Sequence, residues 1–171
     1  MDIFDVLVIA VALSMDAFAV SICKGLSVRK VKIGHLLAVG LYFGAFQALM
    51  PTIGYFLGKQ FEKYITKFDH WIAFGLLLII GVNMIREALS KEEPDGEKNS
   101  SFSVGTMLVL AVATSIDALA VGISFAFNEM DKSTFLYSAI TIGVVTCIIS
   151  MLGLLAGNFF GAKYKSKAEL V

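Results

Sequence analysis

Long apolar runs alternate with short polar segments along this chain of 171 residues. An α-helix rises 1.5 Å per residue, so about 20 apolar residues cross the hydrocarbon core of a bilayer. Between the third and fourth long runs lies the segment 90–101, which contains a proline, a glycine and several charges. The pattern predicts a solvated linker there and five membrane-spanning helices, at about 3–23, 34–57, 71–89, 102–127 and 134–161.

The two sides of the linker resemble each other. Residues 10–22 read AVALSMDAFAVSI and residues 111–123 read AVATSIDALAVGI, which match at nine of 13 positions with an offset of 101. In the next span of each side, three glycines recur with an offset of 99: Gly44, Gly54 and Gly58, then Gly143, Gly153 and Gly157. The chain therefore contains a predicted internal repeat.

The repeat divides the chain into a three-helix unit at 1–89, the linker at 90–101 and a second unit at 102–171. The first unit has three predicted spans and the second has two. We therefore expect that a sixth helix is missing from this chain.

The Lys and Arg residues predict the orientation in the membrane. Four of them lie in segments on the N-terminal side of the bilayer and ten on the opposite side, which places the N-terminus outside and the linker in the cytoplasm. With three spans per unit, the second unit enters the membrane in the opposite direction. The predicted fold is an all-α integral membrane protein built from two inverted three-helix repeats, an arrangement that many transporters use.

Composition supports this class. Hydrophobic residues make up 57% of the chain and charged residues 16%, below the quarter that is typical of soluble domains. The formal net charge is zero, so no overall field favours a nucleic-acid partner. The expected surroundings are a lipid bilayer.

Two aspartates interrupt the apolar runs at matching positions. Asp16 and Asp117 lie near the centres of the first and fourth predicted spans. A carboxylate at that depth costs about 3 kcal/mol on insertion scales, so it requires a cavity or a partner. Each shares a helical stripe with small residues, which predicts a packing seam, and a two-fold axis in the membrane plane would bring the two together. The alternative is that each is protonated or hydrogen-bonded and only holds helices together.

No Lys, Arg or His lies centrally in a predicted span, so a transported cation is the expected partner of the two carboxylates. Further oxygen donors are the hydroxyls of Ser14 and Ser115, which converge on the site if the helix is locally unwound. Pro51 frees the backbone carbonyl of Gln47. The remaining donors are the amides of Gln47 and Asn83. Such hard ligands suit Mn²⁺, Mg²⁺ and Ca²⁺ almost equally.

Four segments of the chain are distinctive: SMDAFAVSICKG at 14–25, GAFQALMPTIG at 44–54, HWIAF at 70–74 and SIDALAVG at 115–122. Together they resemble the MntP family of bacterial manganese exporters. The resemblance implies six helices in two three-helix repeats, export of manganese from the cytoplasm, and Asp16 and Asp117 as the central acidic pair. The family often has Glu where this chain has Gln47, so the site in this chain carries one negative charge fewer.

The resulting expectation is a secondary transporter in the bacterial inner membrane that exports Mn²⁺ in exchange for protons, since a carboxylate holds either a metal ion or a proton. No cofactor is expected besides Mn²⁺ as substrate, and no G-x-x-x-x-G-K-[ST] motif supplies ATP binding. An aspartyl-dyad enzyme is disfavoured because the G-x-G-D element of such proteases does not occur. An exporter of another cation and a non-transporting scaffold stay open. So does the effect of the missing sixth helix, which could abolish transport or be covered by a homo-oligomer.

Overall fold

The computed structural model of the chain describes the backbone of residues 2–65, 82 and 102–168, and the side chains of residues 2–60, 82 and 102–163. The predicted third span at 71–89, apart from residue 82, and the predicted linker at 90–101 lie outside the described residues. The described part is entirely helical and contains no strand.

Five helices make up the described part: α1 at Ile3–Ser27, α2 at Ile33–Ile65, α3 at Val104–Ala113, α4 at Ile116–Phe127 and α5 at Lys132–Ala168. Helices α1, α2 and α5 are each long and apolar enough to cross a membrane. This confirms that the first, second and fifth predicted spans are candidate membrane-spanning helices. Each extends beyond its predicted limits by one or more residues at one end or both.

The predicted fourth span, at 102–127, is not one continuous helix. It is divided into α3 and α4, whose axes differ in direction by 45° across Thr114 and Ser115. Together the two pieces form a fourth candidate span with a break near its middle. A broken helix at membrane depth is tolerated where it is buried in protein or lines a cavity.

The helices contact one another in the order α1, α5, α2 and α4. Gly153 and Gly161 of α5 lie against Phe18 and Leu26 of α1, so α1 and α5 run parallel. Glycine allows this close approach because a Cβ at Gly153 would come within 3 Å of the Phe18 carbonyl oxygen.

Helix α2 packs on α4 and α5 through its own glycines. Gly54 and Gly58 lie against Leu119 and Ala126 of α4, so α2 and α4 also run parallel. By contrast, α2 and α5 cross in opposite directions, with Gly44 against Gly143 at the crossing. It follows that α1 and α4 point in opposite directions.

The buried apolar side chains form two separate clusters. The Tyr55 cluster comprises Ala10, Leu13, Tyr55, Ala118, Phe125, Ala126, Phe135, Ala139 and Ile142. The Phe43 cluster comprises Ala17, Val39, Phe43, Met107, Ala111 and Leu154. Each cluster contains residues from helices on both sides of the predicted linker, so the described helices share one core that is divided in two.

Polar contacts of aromatic and amide side chains join the helices near the two ends of the bundle. The Tyr55 ring stacks on Phe135 with centroids 4.1 Å apart, and its hydroxyl donates to the Met130 carbonyl at 2.9 Å. At the opposite end, the Asn158 amide donates to the Val28 carbonyl at 2.6 Å, just beyond the end of α1. These contacts fix α2 to the start of α5 and α1 to the end of α5.

Candidate metal site

A layer of buried polar side chains separates the two apolar clusters. In α1, for example, Leu13 belongs to the Tyr55 cluster and Ala17 to the Phe43 cluster, and the buried Ser14 lies between them. The same order occurs in α2, in the α3–α4 pair and in α5. This polar layer consists of Ser14, Gln47, Thr114, Ser115, Thr146 and Ser150.

Ser14 and Ser115 are both fully buried, and each bonds to its own helix. The Ser14 hydroxyl donates to the Val11 carbonyl at 2.8 Å, and the Ser115 hydroxyl donates to the Ala111 carbonyl at 2.7 Å. Each hydroxyl proton is therefore used, while oxygen lone pairs stay available. The local unwinding considered for these serines occurs at Ser115, in the break, and does not occur at Ser14, because α1 is continuous there.

Gln47 reaches across from α2 to α1. Its side-chain nitrogen donates to the Leu13 carbonyl at 2.9 Å, while its side-chain oxygen is buried without a hydrogen-bond partner. Helix α2 continues through Pro51, which packs against Gly122 of α4. Gln47 thus presents an unpaired amide oxygen inside the polar layer, beside Ser14.

Asp117 lies in the first turn of α4, just after the break. The N–H of Ala118 donates to its carboxylate at 2.9 Å, and the hydrogen-bond ladder resumes with the Leu119 N–H donating to the Ser115 carbonyl. The carboxylate therefore takes part in restarting the helix. The start of a helix favours a negative charge, because its free N–H groups point toward it.

The structure brings Asp16 and Asp117 within electrostatic range of each other, at the level of the polar layer. Their positions differ in burial: Asp16 is exposed and Asp117 is half-buried. Ala12 and Ala19, on the stripe of Asp16, and Ala113 and Ala120, on the stripe of Asp117, are exposed as well, so no described helix packs on the predicted seams. The glycines of α5 contact a different face of α1, and the glycines of α2 contact a different face of α4. The two carboxylates therefore lie at the edge of the polar layer.

Asn83, the last predicted oxygen donor, lies outside the described residues. Within the described residues no three His, Cys, Asp or Glu side chains come together as a metal cluster. Among the described residues, a cation held here would have an acidic pair and neutral oxygen atoms as ligands.

Sequence reasoning missed three members of the polar layer, Thr114, Thr146 and Ser150. Thr146 and Ser150 of α5 are fully buried, and neither hydroxyl has a hydrogen-bond partner. A buried polar group left unpaired costs about 1–3 kcal/mol. A signal was present: Thr146 lies 99 positions after Gln47, the same offset that relates the repeated glycines.

Comparison with known proteins identifies the family. Residues 30–171 match the model of the family described as "Putative manganese efflux pump". This chain belongs to the MntP family. No solved structure matches.

Relatives of the same family cover the chain fully. The chain is 52% identical to a "Putative manganese efflux pump MntP" of Mannheimia succiniciproducens, over all of this chain and 89% of that protein. A protein of the same name from Acetivibrio thermocellus is 52% identical over all of this chain and 84% of its own length. One from Campylobacter jejuni is 53% identical, over all of this chain and 89% of its own length.

The family assignment confirms the resemblance seen in the sequence. The MntP family is described as one of efflux transporters and not as a class of enzymes, and the apolar helices agree with a membrane protein.

Proposed function

We propose that this chain exports Mn²⁺ from the cytoplasm across the bacterial inner membrane, in exchange for protons, through a site that includes Asp16 and Asp117. The observation that carries the proposal is the polar layer, which crosses every described span between the two apolar clusters. Buried oxygen donors grouped with two acidic side chains form a suitable binding site for a hard divalent cation. The names of the relatives supply the identity of the metal.

The two carboxylates require a compensating charge. Asp16 is exposed on a membrane-spanning helix, where an ionised carboxylate costs about 3 kcal/mol or more. Asp16 and Asp117 also repel each other when both are ionised. A divalent cation removes both costs, and so does protonation once the cation has left. Alternation between these two states couples metal export to proton entry.

An inverted repeat is part of the proposal, and matched glycine contacts support it. Gly54 packs on Leu119, and its counterpart Gly153 packs on Phe18, the counterpart of Leu119. Gly58 likewise lies against Ile123, as Gly157 lies against Ile22. The opposite directions of α1 and α4 agree with inversion. Two such halves rocking about a central site provide alternating access.

The remaining sequence predictions complete this proposal. The N-terminus lies outside. The absence of a sixth helix and the formation of a homo-oligomer stay predictions. The proposed ligands are the carboxylates and the neutral oxygens of Asp16, Asp117, Ser14, Ser115, Gln47 and Asn83.

Flux measurements in proteoliposomes test the function. Vesicles loaded with Mn²⁺ should release it when the outer solution is made acidic, and nigericin, which collapses the pH gradient, should slow that release. Ca²⁺ and Mg²⁺ in place of Mn²⁺ test the alternative of another cation. If Mn²⁺ release is no faster than from protein-free vesicles, the chain does not transport Mn²⁺. If release is faster but nigericin does not change its rate, the chain transports Mn²⁺ and only the proton coupling is contradicted.

Replacing Gln47 with leucine should lower the rate of Mn²⁺ release by about tenfold, equivalent to ~1.4 kcal/mol. Leucine removes the unpaired amide oxygen and the bond to the Leu13 carbonyl while it keeps the side chain's bulk. Initial rates of release measure the effect. Gln47→Glu keeps an oxygen at the position and should retain more activity than Gln47→Leu. Equal rates for wild type and Gln47→Leu would remove Gln47 from the site.

A further inference from the structure

Two buried hydroxyls of α5 behave differently from every other buried Ser or Thr in the described part of the chain. Five such residues donate to a carbonyl three or four positions earlier in their own helix: Ser14, Ser21, Thr114, Ser115 and Ser138. Thr146 and Ser150 make no hydrogen bond, although both are fully buried. Local bonding is the usual way in which a membrane helix satisfies a hydroxyl. Its absence at these two residues points to an additional partner.

The two hydroxyls and the amide of Gln47 all lie near the crossing of α2 and α5. Thr146 follows Gly143 by three residues on α5, and Gln47 follows Gly44 by three residues on α2. Gly44 and Gly143 mark the crossing of these two antiparallel helices. Gln47 therefore lies about one turn from the crossing toward one membrane face, and Thr146 lies about one turn from it toward the other. Ser150 lies about 6 Å further along α5 than Thr146. We call these three residues the oxygen row.

We propose that the oxygen row extends the carboxylate site from Gln47 toward the cytoplasm, as a path along which a partly dehydrated divalent ion moves between the cytoplasmic side and the carboxylates. The proposal rests on the proposed function and deepens it by naming the residues that line the path. The unpaired atoms on this row are the Gln47 side-chain oxygen and the hydroxyl oxygens of Thr146 and Ser150.

Neutral oxygens suit a path better than a resting site. A hard cation accepts hydroxyl and amide oxygens in place of water, but neutral ligands hold it less strongly than carboxylates do. Passage requires binding that is strong enough for entry and weak enough for release. With the predicted orientation, Ser150 lies on the cytoplasmic side of Thr146, and Gln47 on the outer side.

Initial rates of Mn²⁺ release from proteoliposomes that hold the full chain test the proposal. Because the row is a path and not the resting site, Thr146→Val and Ser150→Ala should each lower this rate by about tenfold. The matched control is Ser138→Ala, which removes a buried but locally bonded hydroxyl from the same helix. Thr146→Ser keeps the hydroxyl and should release Mn²⁺ as fast as wild type, which separates loss of a ligand from misfolding.

A gained property provides an independent readout. Ser150→Cys places sulfur on the row, so preference for Cd²⁺ over Mn²⁺ should rise by about tenfold, because soft ligands select soft metals. Ser138→Cys should leave the preference unchanged. The native Cys23 and Cys147 are present in every variant and so do not affect the comparison.

The outcomes separate the two proposals. If Thr146→Val and Ser150→Ala release Mn²⁺ as fast as Ser138→Ala does, while Asp16→Asn and Asp117→Asn lose transport, the oxygen row is wrong and the carboxylate site stands. If the hydroxyl variants release Mn²⁺ slowly and the aspartate variants do not, the row is supported and the carboxylate site is wrong. If the wild-type chain releases no Mn²⁺, both are overturned.

Discussion

Replacing either Asp16 or Asp117 with asparagine should reduce Mn²⁺ release from proteoliposomes by about 100-fold, equivalent to ~2.7 kcal/mol. Asparagine has nearly the same shape but carries no charge, so one carboxylate alone would have to compensate a doubly charged ion. Thermal stability should stay the same or rise, because the repulsion between the two carboxylates disappears. Initial rates of release and the midpoint of thermal unfolding in detergent measure the two effects.

The control for this prediction is Asp5→Asn. Asp5 also lies on α1, but near the end of the helix, where its carboxylate accepts a hydrogen bond from the Asp2 N–H. Its neutralisation leaves the polar layer intact, so transport should stay close to wild type. Wild-type rates in both Asp16→Asn and Asp117→Asn would rule out the acidic pair as the transport site.

Replacing Gly44 with leucine should prevent assembly of the helices or lower the free energy of unfolding by at least about 3 kcal/mol. A Cβ at Gly44 would lie 2.8 Å from the Gly143 carbonyl oxygen and 2.9 Å from the Cys147 Cβ. The backbone cannot yield locally, because α2 and α5 meet there over their central turns. Size-exclusion profiles and thermal unfolding in detergent measure the loss.

Gly34→Leu is the matched control for Gly44→Leu. Gly34 lies on the same helix, and a Cβ there meets no atom within 4 Å. The same substitution should therefore change the unfolding midpoint little. If Gly44→Leu is as stable as Gly34→Leu, the close crossing of α2 and α5 is not a feature of the folded protein.

Helix positions followed from the sequence because they depend on apolar length, which is a local property. The runs that predicted α1, α2 and α5 are long enough to cross a bilayer by themselves, whatever surrounds them. The sequence pattern allowed local unwinding at Ser115, which would bring its hydroxyl to the site. It nevertheless predicted one continuous span at 102–127, without the break at Thr114 and Ser115. The residues of that span form an apolar run that is as continuous as that of α1.

The candidate site was predicted less completely than the helices. Asp16 and Asp117 are recognisable in the sequence, because a carboxylate in an apolar run is rare. The faces of α1 and α4 that pack on the other described helices are not the predicted seams, since small residues occur on more than one face of α1 and α4. Thr146 and Ser150 resemble many hydroxyl residues of membrane helices, and only their missing hydrogen bonds distinguish them.

By itself the sequence determined that this protein is a helical membrane protein of the MntP family, with two acidic side chains at repeated positions. These properties depend on hydropathy, offsets and motifs, which are all linear features. The tertiary structure decided that the apolar core is split by a polar layer, that the carboxylates lie at its edge, and that two hydroxyls of α5 are left unpaired. The physical reason is that burial and hydrogen bonding depend on which helix faces meet, and close contacts at glycines such as Gly44 and Gly153 select those faces.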